Sequence, residues 1–205
     1  MRFIICIGIV LAVSGFAAAG SAECRAKFAN IFINLNGGFF QSSQIERMVE
    51  DIANMYYDGI PLADIFTYLR NQQALYCTTE QINIITDITK QLTEIIGSSE
   101  RTAELFNVAF NEALDFVKAD QAELDQIVAR EKAEGLDKDT ILRDMCRFVC
   151  QKYTAEKRAE VAKRILGYIT PEHRQQIRDL LSRIMKLDNI DINNVGTTPA
   201  GFQGF

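Results

Sequence analysis

The chain reads as an all-α protein, a single multi-helix domain of about seven to eight helices. Three observations lead there. Apolar residues recur at three- and four-residue spacing through most of its length. Ser or Thr followed two or three residues later by Glu or Gln repeatedly opens such a segment. No convincing run of alternating apolar and polar residues marks a strand.

The N-terminus sets the compartment. Arg2 precedes an apolar run, Phe3 to Val13, too short to span a bilayer, and Gly20-Ser21-Ala22 fits a cleavage site before Glu23. Residues 1–22 are therefore expected to be an export signal, and the mature protein is expected to be secreted and extracellular without a stable membrane anchor. Removing them leaves 183 of 205 residues, enough for one domain with a real core. Residues 23–187 form the expected domain and 188–205, rich in Asn, Gly and Thr, a flexible tail.

The helices follow in order. Cys24 to Leu35 carries Phe28, Ile31, Phe32 and Leu35 at helical spacing and stops at Asn36-Gly37-Gly38. Ser43 with Glu46 reads as a capping box, followed by Ile45, Met48, Val49, Ile52 and Tyr56. Asp58-Gly59 ends that helix, and Pro61 starts one with Leu62, Ile65, Phe66 and Leu69. Thr78 to Gln81 opens the next, with Ile82, Ile85, Ile88, Leu92 and Ile95 as its stripe and Gly97 as its stop. From Ser98 to about Ala133 runs the longest periodic segment, weakening at Lys118 to Glu123, where a bend is expected. Thr154 and Thr170 each cap a short helix with a glutamate two residues on, where the helix dipole favours an anion.

Thr140 to Tyr153 differs from the others. Ile141, Leu142, Met145, Cys146, Phe148, Val149, Cys150 and Tyr153 cover an arc of roughly 200°, against the roughly 100° stripe of a surface helix. A helix apolar on two sides is enclosed by neighbours, or it lines a cavity between layers. Phe106 and Phe110, from the long segment before it, with Met145, Phe148 and Val149, are the candidate lining of an apolar ligand site.

Cysteine placement suggests staples. Cys146 and Cys150, four apart on one helix, have Cβ atoms about 5–6 Å apart, too far for the roughly 3.8 Å of a disulfide. With Cys6 in the export signal, two pairings remain: Cys24–Cys146 with Cys77–Cys150, or Cys24–Cys150 with Cys77–Cys146. An exported chain is expected to use one of them.

Several classes of function are excluded or weakened. No G-x-S-x-G, H-E-x-x-H, P-loop or dinucleotide fingerprint occurs, and the single histidine, His173, has no nucleophile or base around it in sequence. No enzyme is expected. The net charge of −5 disfavours a general nucleic-acid role. Residues 152–186 nevertheless carry nine basic against four acidic side chains, which leaves a protein or anionic surface as a local partner through Lys157, Arg158, Lys163 and Arg164. Asp137 and Asp139, beside Gly135, are candidate ligands for Mg²⁺ or Ca²⁺; no other cofactor is expected.

From about residue 64 to 165 the order of features resembles the SXP family of nematode secreted antigens. The likeness lies in ADIFTYLRN, TTEQI opening a helix, a long Phe- and Ala-bearing helix, AELDQIVAREKAEGLDKDTILRD and EKRAEVAKRI. It covers about half the chain and implies a helical, exported protein, with cation binding in some members. Only Asp137 and Asp139 carry over. The expected function is thus a secreted, non-enzymatic helical binding protein for a small apolar, fatty-acid-like ligand. The alternative is an SXP-like antigen that binds a divalent cation or a protein or anionic partner.

Overall fold

A computed structural model describes residues 39–152 and 155–185 together with 196, 202, 204 and 205; within these ranges the side chains of residues 73, 150, 155, 158, 159, 184 and 185 are left undescribed. The described residues are all-α: α1 Ser42–Tyr57, α2 Leu62–Asn71, α3 Gln73–Tyr76, α4 Thr79–Ile96, α5 Ser99–Lys118, α6 Gln121–Ala133, α7 Lys138–Lys152, α8 Ala155–Gly167 and α9 Pro171–Met185, with no strand among them. The export signal, the segment Cys24 to Leu35 and the side chain of Cys150 lie outside the described residues.

Most helix limits follow local chemistry. Thr78 Oγ1 accepts from the Gln81 backbone N–H at 3.2 Å, and the Gln81 side chain accepts from the Thr78 N–H at 2.8 Å, so two orphan donors of α4 are satisfied reciprocally. Gly97 ends α4 at φ +96°, a conformation that L side chains rarely adopt. The break expected between Lys118 and Glu123 separates α5 from α6. Two details differ. The Gln44 side chain, two residues before Glu46, accepts from the Gln41 N–H at 2.9 Å, so α1 is capped from Gln41 rather than Ser43. Ile96, not Ile95, is the buried residue at the end of α4.

A single core runs through the helices, from Phe40 and Val49 of the N-terminal part to Ile177 and Leu181 of α9. At its centre is α5, which packs against α2, α4, α6 and α8. It buries Thr102, Leu105, Phe106, Ala109, Phe110, Ala113, Leu114 and Val117. Each large apolar side chain among these contributes about 1.5–3 kcal/mol by leaving water. Ala109 and Ala113, both fully buried, let neighbouring helices approach closely. From α5, Glu112 pairs with Arg164 of α8 at 3.1 Å and accepts from the Tyr168 hydroxyl at 3.0 Å. The partner of α9 is α4, with Arg183 of α9 donating to Gln91 of α4.

The helix α7 is enclosed as its wide apolar arc requires. Ile141, Leu142, Met145, Cys146, Phe148 and Val149 are buried, while Arg143, Arg147 and Gln151 face solvent. Its neighbours are α1 and α6. The expected pair of disulfide staples is not seen among the described residues. Both pairings considered above require Cys77 in a bridge, and Cys77 is a thiol in the structure, with no cysteine pair at disulfide distance among the described residues. Both expected pairings of Cys24, Cys77, Cys146 and Cys150 are corrected accordingly, while Cys24 and the side chain of Cys150 lie outside the described residues. Cys77 stands half-buried at the turn before α4, and burial pushes its thiol up to about 11, which keeps it protonated and unreactive near neutrality. Among the described residues it is apolar packing that encloses α7.

The core account makes a direct prediction. Phe66 of α2 is fully buried and meets Phe110 of α5 edge-on, ring centroids 6.1 Å apart. Phe66→Ala is expected to lower the unfolding free energy by about 3–5 kcal/mol in urea titrations. A loss below about 1 kcal/mol would mean that this contact is not part of the core.

Candidate functional site

The five residues expected to line an apolar site all lie inside the large core, Phe106 and Phe110 on α5 and Met145, Phe148 and Val149 on α7. Phe106, Phe110, Met145, Phe148 and Val149 are each less than one-tenth exposed. Phe110 is covered by the Arg70 guanidinium, 5.0 Å from its ring centroid, and Phe148 by the Lys152 ammonium at 5.3 Å. Long cationic side chains lying over these rings close the core toward water.

The acidic loop is a helix cap. Asp137 accepts from the Thr140 backbone N–H at 2.9 Å and from its hydroxyl at 2.8 Å, one bond to each carboxylate oxygen. These hydrogen bonds, the Thr140 hydroxyl first, hold the Asp137 carboxyl below the usual carboxylate range. Asp139 is exposed in the first turn of α7. Among the described residues no group of three or more His, Cys, Asp or Glu could hold a metal ion. The two aspartates therefore serve the N-terminus of α7, where their charge complements the helix dipole.

The basic third is largely neutralised within the fold. Lys152 pairs with Glu123 at 2.6 Å, Lys157 with Asp120 at 3.2 Å and Lys163 with Glu160 at 3.4 Å. Arg164 reaches Glu112, and Arg174 donates through Nε to the carbonyls of Leu166 and Ile169. Much of the positive charge counted in the sequence thus meets acids of α5 and α6 or the ends of its own helices. No described helix is long and apolar enough to cross a membrane.

A cleft lies elsewhere, where the first turns of α5 and α9 meet the described residues of the C-terminal segment. Ser98 caps α5, accepting from the Arg101 N–H at 3.2 Å, and Thr170 caps α9, its hydroxyl 3.5 Å from the His173 N–H. The two helix starts are tied by the segment that the sequence presents as a tail. Thr170 N–H donates to Phe205 O and Phe205 N–H to Tyr168 O, both at 2.8 Å, while Arg101 Nη2 donates to Gly204 O at 2.7 Å. Gly204 sits at φ +77°, and a Cβ there would stand 3.1 Å from the Thr170 methyl, so glycine suits both the turn and the space. Phe202 meets Tyr168 and Phe205 edge-on at 5.1 and 5.0 Å, and Phe205 is only 2 % exposed. The resulting open-sided cleft has a volume of about 370 Å³ and is lined by Arg101, Glu104, Thr170, His173, Phe202, Gly204 and Phe205.

Its electrostatics are asymmetric. Two helix N-termini, each the positive end of a dipole, converge on it. Arg101 adds a full charge and lies over the Phe205 ring at 6.0 Å. Glu104, one turn along α5, is the single acid of the lining. His173, read from sequence as an ordinary surface residue, is half-buried, and its Nδ1 is buried without a hydrogen-bond partner among the described residues. The paired phenylalanines in Gly201 to Phe205, GFQGF, were the sequence signal for this site, since two aromatic side chains in an otherwise polar tail need a place to be buried.

Comparison with known proteins adds nothing to the geometry: no protein-family model, no curated protein and no solved structure matches the chain.

The capping role of Asp137 has a pH signature. Its folded-state pKa is lowered, so its stabilisation is fully present above the ordinary aspartate value and is lost as the pH falls through the lowered one. Asp137→Asn is expected to flatten the acid limb of a stability-versus-pH curve below about pH 4. It is also expected to leave the response to millimolar Mg²⁺ or Ca²⁺ unchanged. A thermal shift with metal that disappears in Asp137→Asn would instead make the loop a cation site.

Proposed function

We propose that this chain is an exported, non-enzymatic helical binding protein that carries a small apolar, fatty-acid-like ligand, and that the ligand lies in the cleft between the starts of α5 and α9. The main support is the half-buried Phe202 ring, backed by the buried Phe205, beside about 370 Å³ of open volume. That size falls in the roughly 300–1,000 Å³ range of small-molecule sites, which combine apolar walls with a few polar groups. Export rests on the apolar run Phe3 to Val13 and the small residues before Glu23. Absence of an enzyme activity is part of the proposal, since among the described residues no hydrogen bond joins the Thr170 hydroxyl, the His173 ring and the Glu104 carboxylate of the lining into a nucleophile, base and orienting group.

The interior residues Phe106, Phe110, Met145, Phe148 and Val149 are better assigned to packing than to the ligand, because they are buried and capped by Arg70 and Lys152. The alternative of an SXP-like cation-binding antigen has weaker support, since both Asp137 oxygens are engaged by Thr140.

A fluorescent fatty acid added to the mature protein is expected to gain emission and to be displaced by unlabelled fatty acid at micromolar protein. Phe202→Ala is expected to weaken uptake about tenfold, the scale of losing one well-packed apolar contact. Phe148→Ala is expected to lower stability while leaving the affinity unchanged. Absence of displacement would reject the carrier function, and loss of uptake in Phe148→Ala alone would move the ligand to the interior.

A further inference from the structure

We propose that the cleft selects its ligand by an anionic head group, with Arg101 as the residue that determines this specificity; the proposal rests on the carrier reading and names the ligand class as an alkyl carboxylate. The apolar body of such a ligand would lie against Phe202, which the buried Phe205 backs, and the carboxylate against the open face of the Arg101 guanidinium.

The placement of charge carries the assignment. Arg101 commits Nη2 to Gly204 O at 2.7 Å, which fixes the plane of the guanidinium against the cleft wall. An arginine has five N–H donors in a rigid fork, so several remain for a carboxylate, and the fork matches the spacing of two carboxylate oxygens. The Phe205 ring under the guanidinium further restricts its position, so little side-chain freedom is left to lose on binding. The Thr170 hydroxyl, which accepts from the His173 N–H and keeps its own proton to donate, and the positive dipole end of α9 border the cleft. His173 borders the same space.

Glu104 opposes this arrangement, and its position explains why one cation alone does not decide the sign. It lines the cleft and no ion pair with Arg101 is formed. Both side chains are exposed, so water screens the acid. Arg101, held by Gly204 and Phe205, is the fixed charge of the two, whereas no hydrogen bond is seen for Glu104 among the described residues. A positioned charge contributes more to recognition than a solvated one, because its ordering cost is already met in the free protein.

The test compares dodecanoate, dodecanol and dodecylamine on the full mature chain by displacement of a neutral fluorescent apolar probe. Dodecanoate is expected to bind at least about tenfold more tightly than dodecanol, the scale of one charge-assisted hydrogen bond, with dodecylamine weakest. Arg101→Met is expected to bring dodecanoate to the dodecanol level and to leave dodecanol unchanged. Glu104→Gln is expected to strengthen dodecanoate. Equal affinity for dodecanoate and dodecanol, or a preference for dodecylamine, would overturn the head-group assignment while the carrier function stands. Equal weakening of both ligands by Arg101→Met would overturn it too, by showing that Arg101 acts only on the wall through Gly204. Failure of all three ligands to bind would reject the carrier function itself.

Discussion

The structure depends above all on the burial of α5 along nearly its whole length. A helix that meets α2, α4, α6 and α8 together cannot be shifted without repacking all four. Its large residues fill the core, and its buried alanines set how closely the neighbours approach. Glu112 then fixes α8 and the α8–α9 turn by binding Arg164 and Tyr168. Burial, and after it the Glu112 carboxylate, raise the Tyr168 phenol above its usual range, so it remains a donor at any physiological pH. The first turn of the same helix presents Arg101 and Glu104 to the cleft. Core and candidate site are thus two ends of one rigid element.

A second constraint is polar. Gln44 and Gln81 exchange hydrogen bonds at 2.6 and 3.0 Å, and Gln44 Nε2 also donates to Tyr76 O at 2.7 Å. Gln81 Nε2 reaches back to Phe39 O at 2.5 Å. This pair joins α1, α3 and α4 at a place where the chain would otherwise bury unsatisfied amides, since Gln81 is nearly inaccessible. It is the reason that a glutamine, rather than a hydrophobe, stands in the buried stripe of α4.

Much of the fold was legible in the sequence because helix caps and apolar spacing are local. Thr78 with Gln81, Gly97, Ser98 and the weak stretch at Lys118 to Glu123 each act within a few residues, and each appears where its chemistry puts it. The wide apolar arc of α7 also reads correctly as enclosure. What encloses it was not legible, because cysteine count constrains connectivity only if bridges form, and Cys77 stays a thiol. The central place of α5 was not legible for a related reason: a one-sided stripe with small residues, like a two-sided arc, can be buried all round once neighbours arrive. The candidate site was the least legible part. Arg101, His173 and Phe205 are far apart in sequence, and the pairing of Tyr168 and Thr170 with Phe205 and of Arg101 with Gly204 brings them together. The charge balance of the basic third was not legible either, because Lys152, Lys157 and Arg164 meet Glu123, Asp120 and Glu112 across helices.

The central claim is that the ligand site lies at the rim, between the starts of α5 and α9, and not in the interior. Backbone amide shifts of the isotope-labelled mature protein, followed by NMR during titration with dodecanoate, test it most directly. The account predicts that the large shifts fall on Arg101, Glu104, Thr170, His173, Gly204 and Phe205, with Phe106, Phe110, Met145, Phe148 and Val149 little moved. Shifts concentrated on those five interior residues, with the rim unchanged, would contradict it.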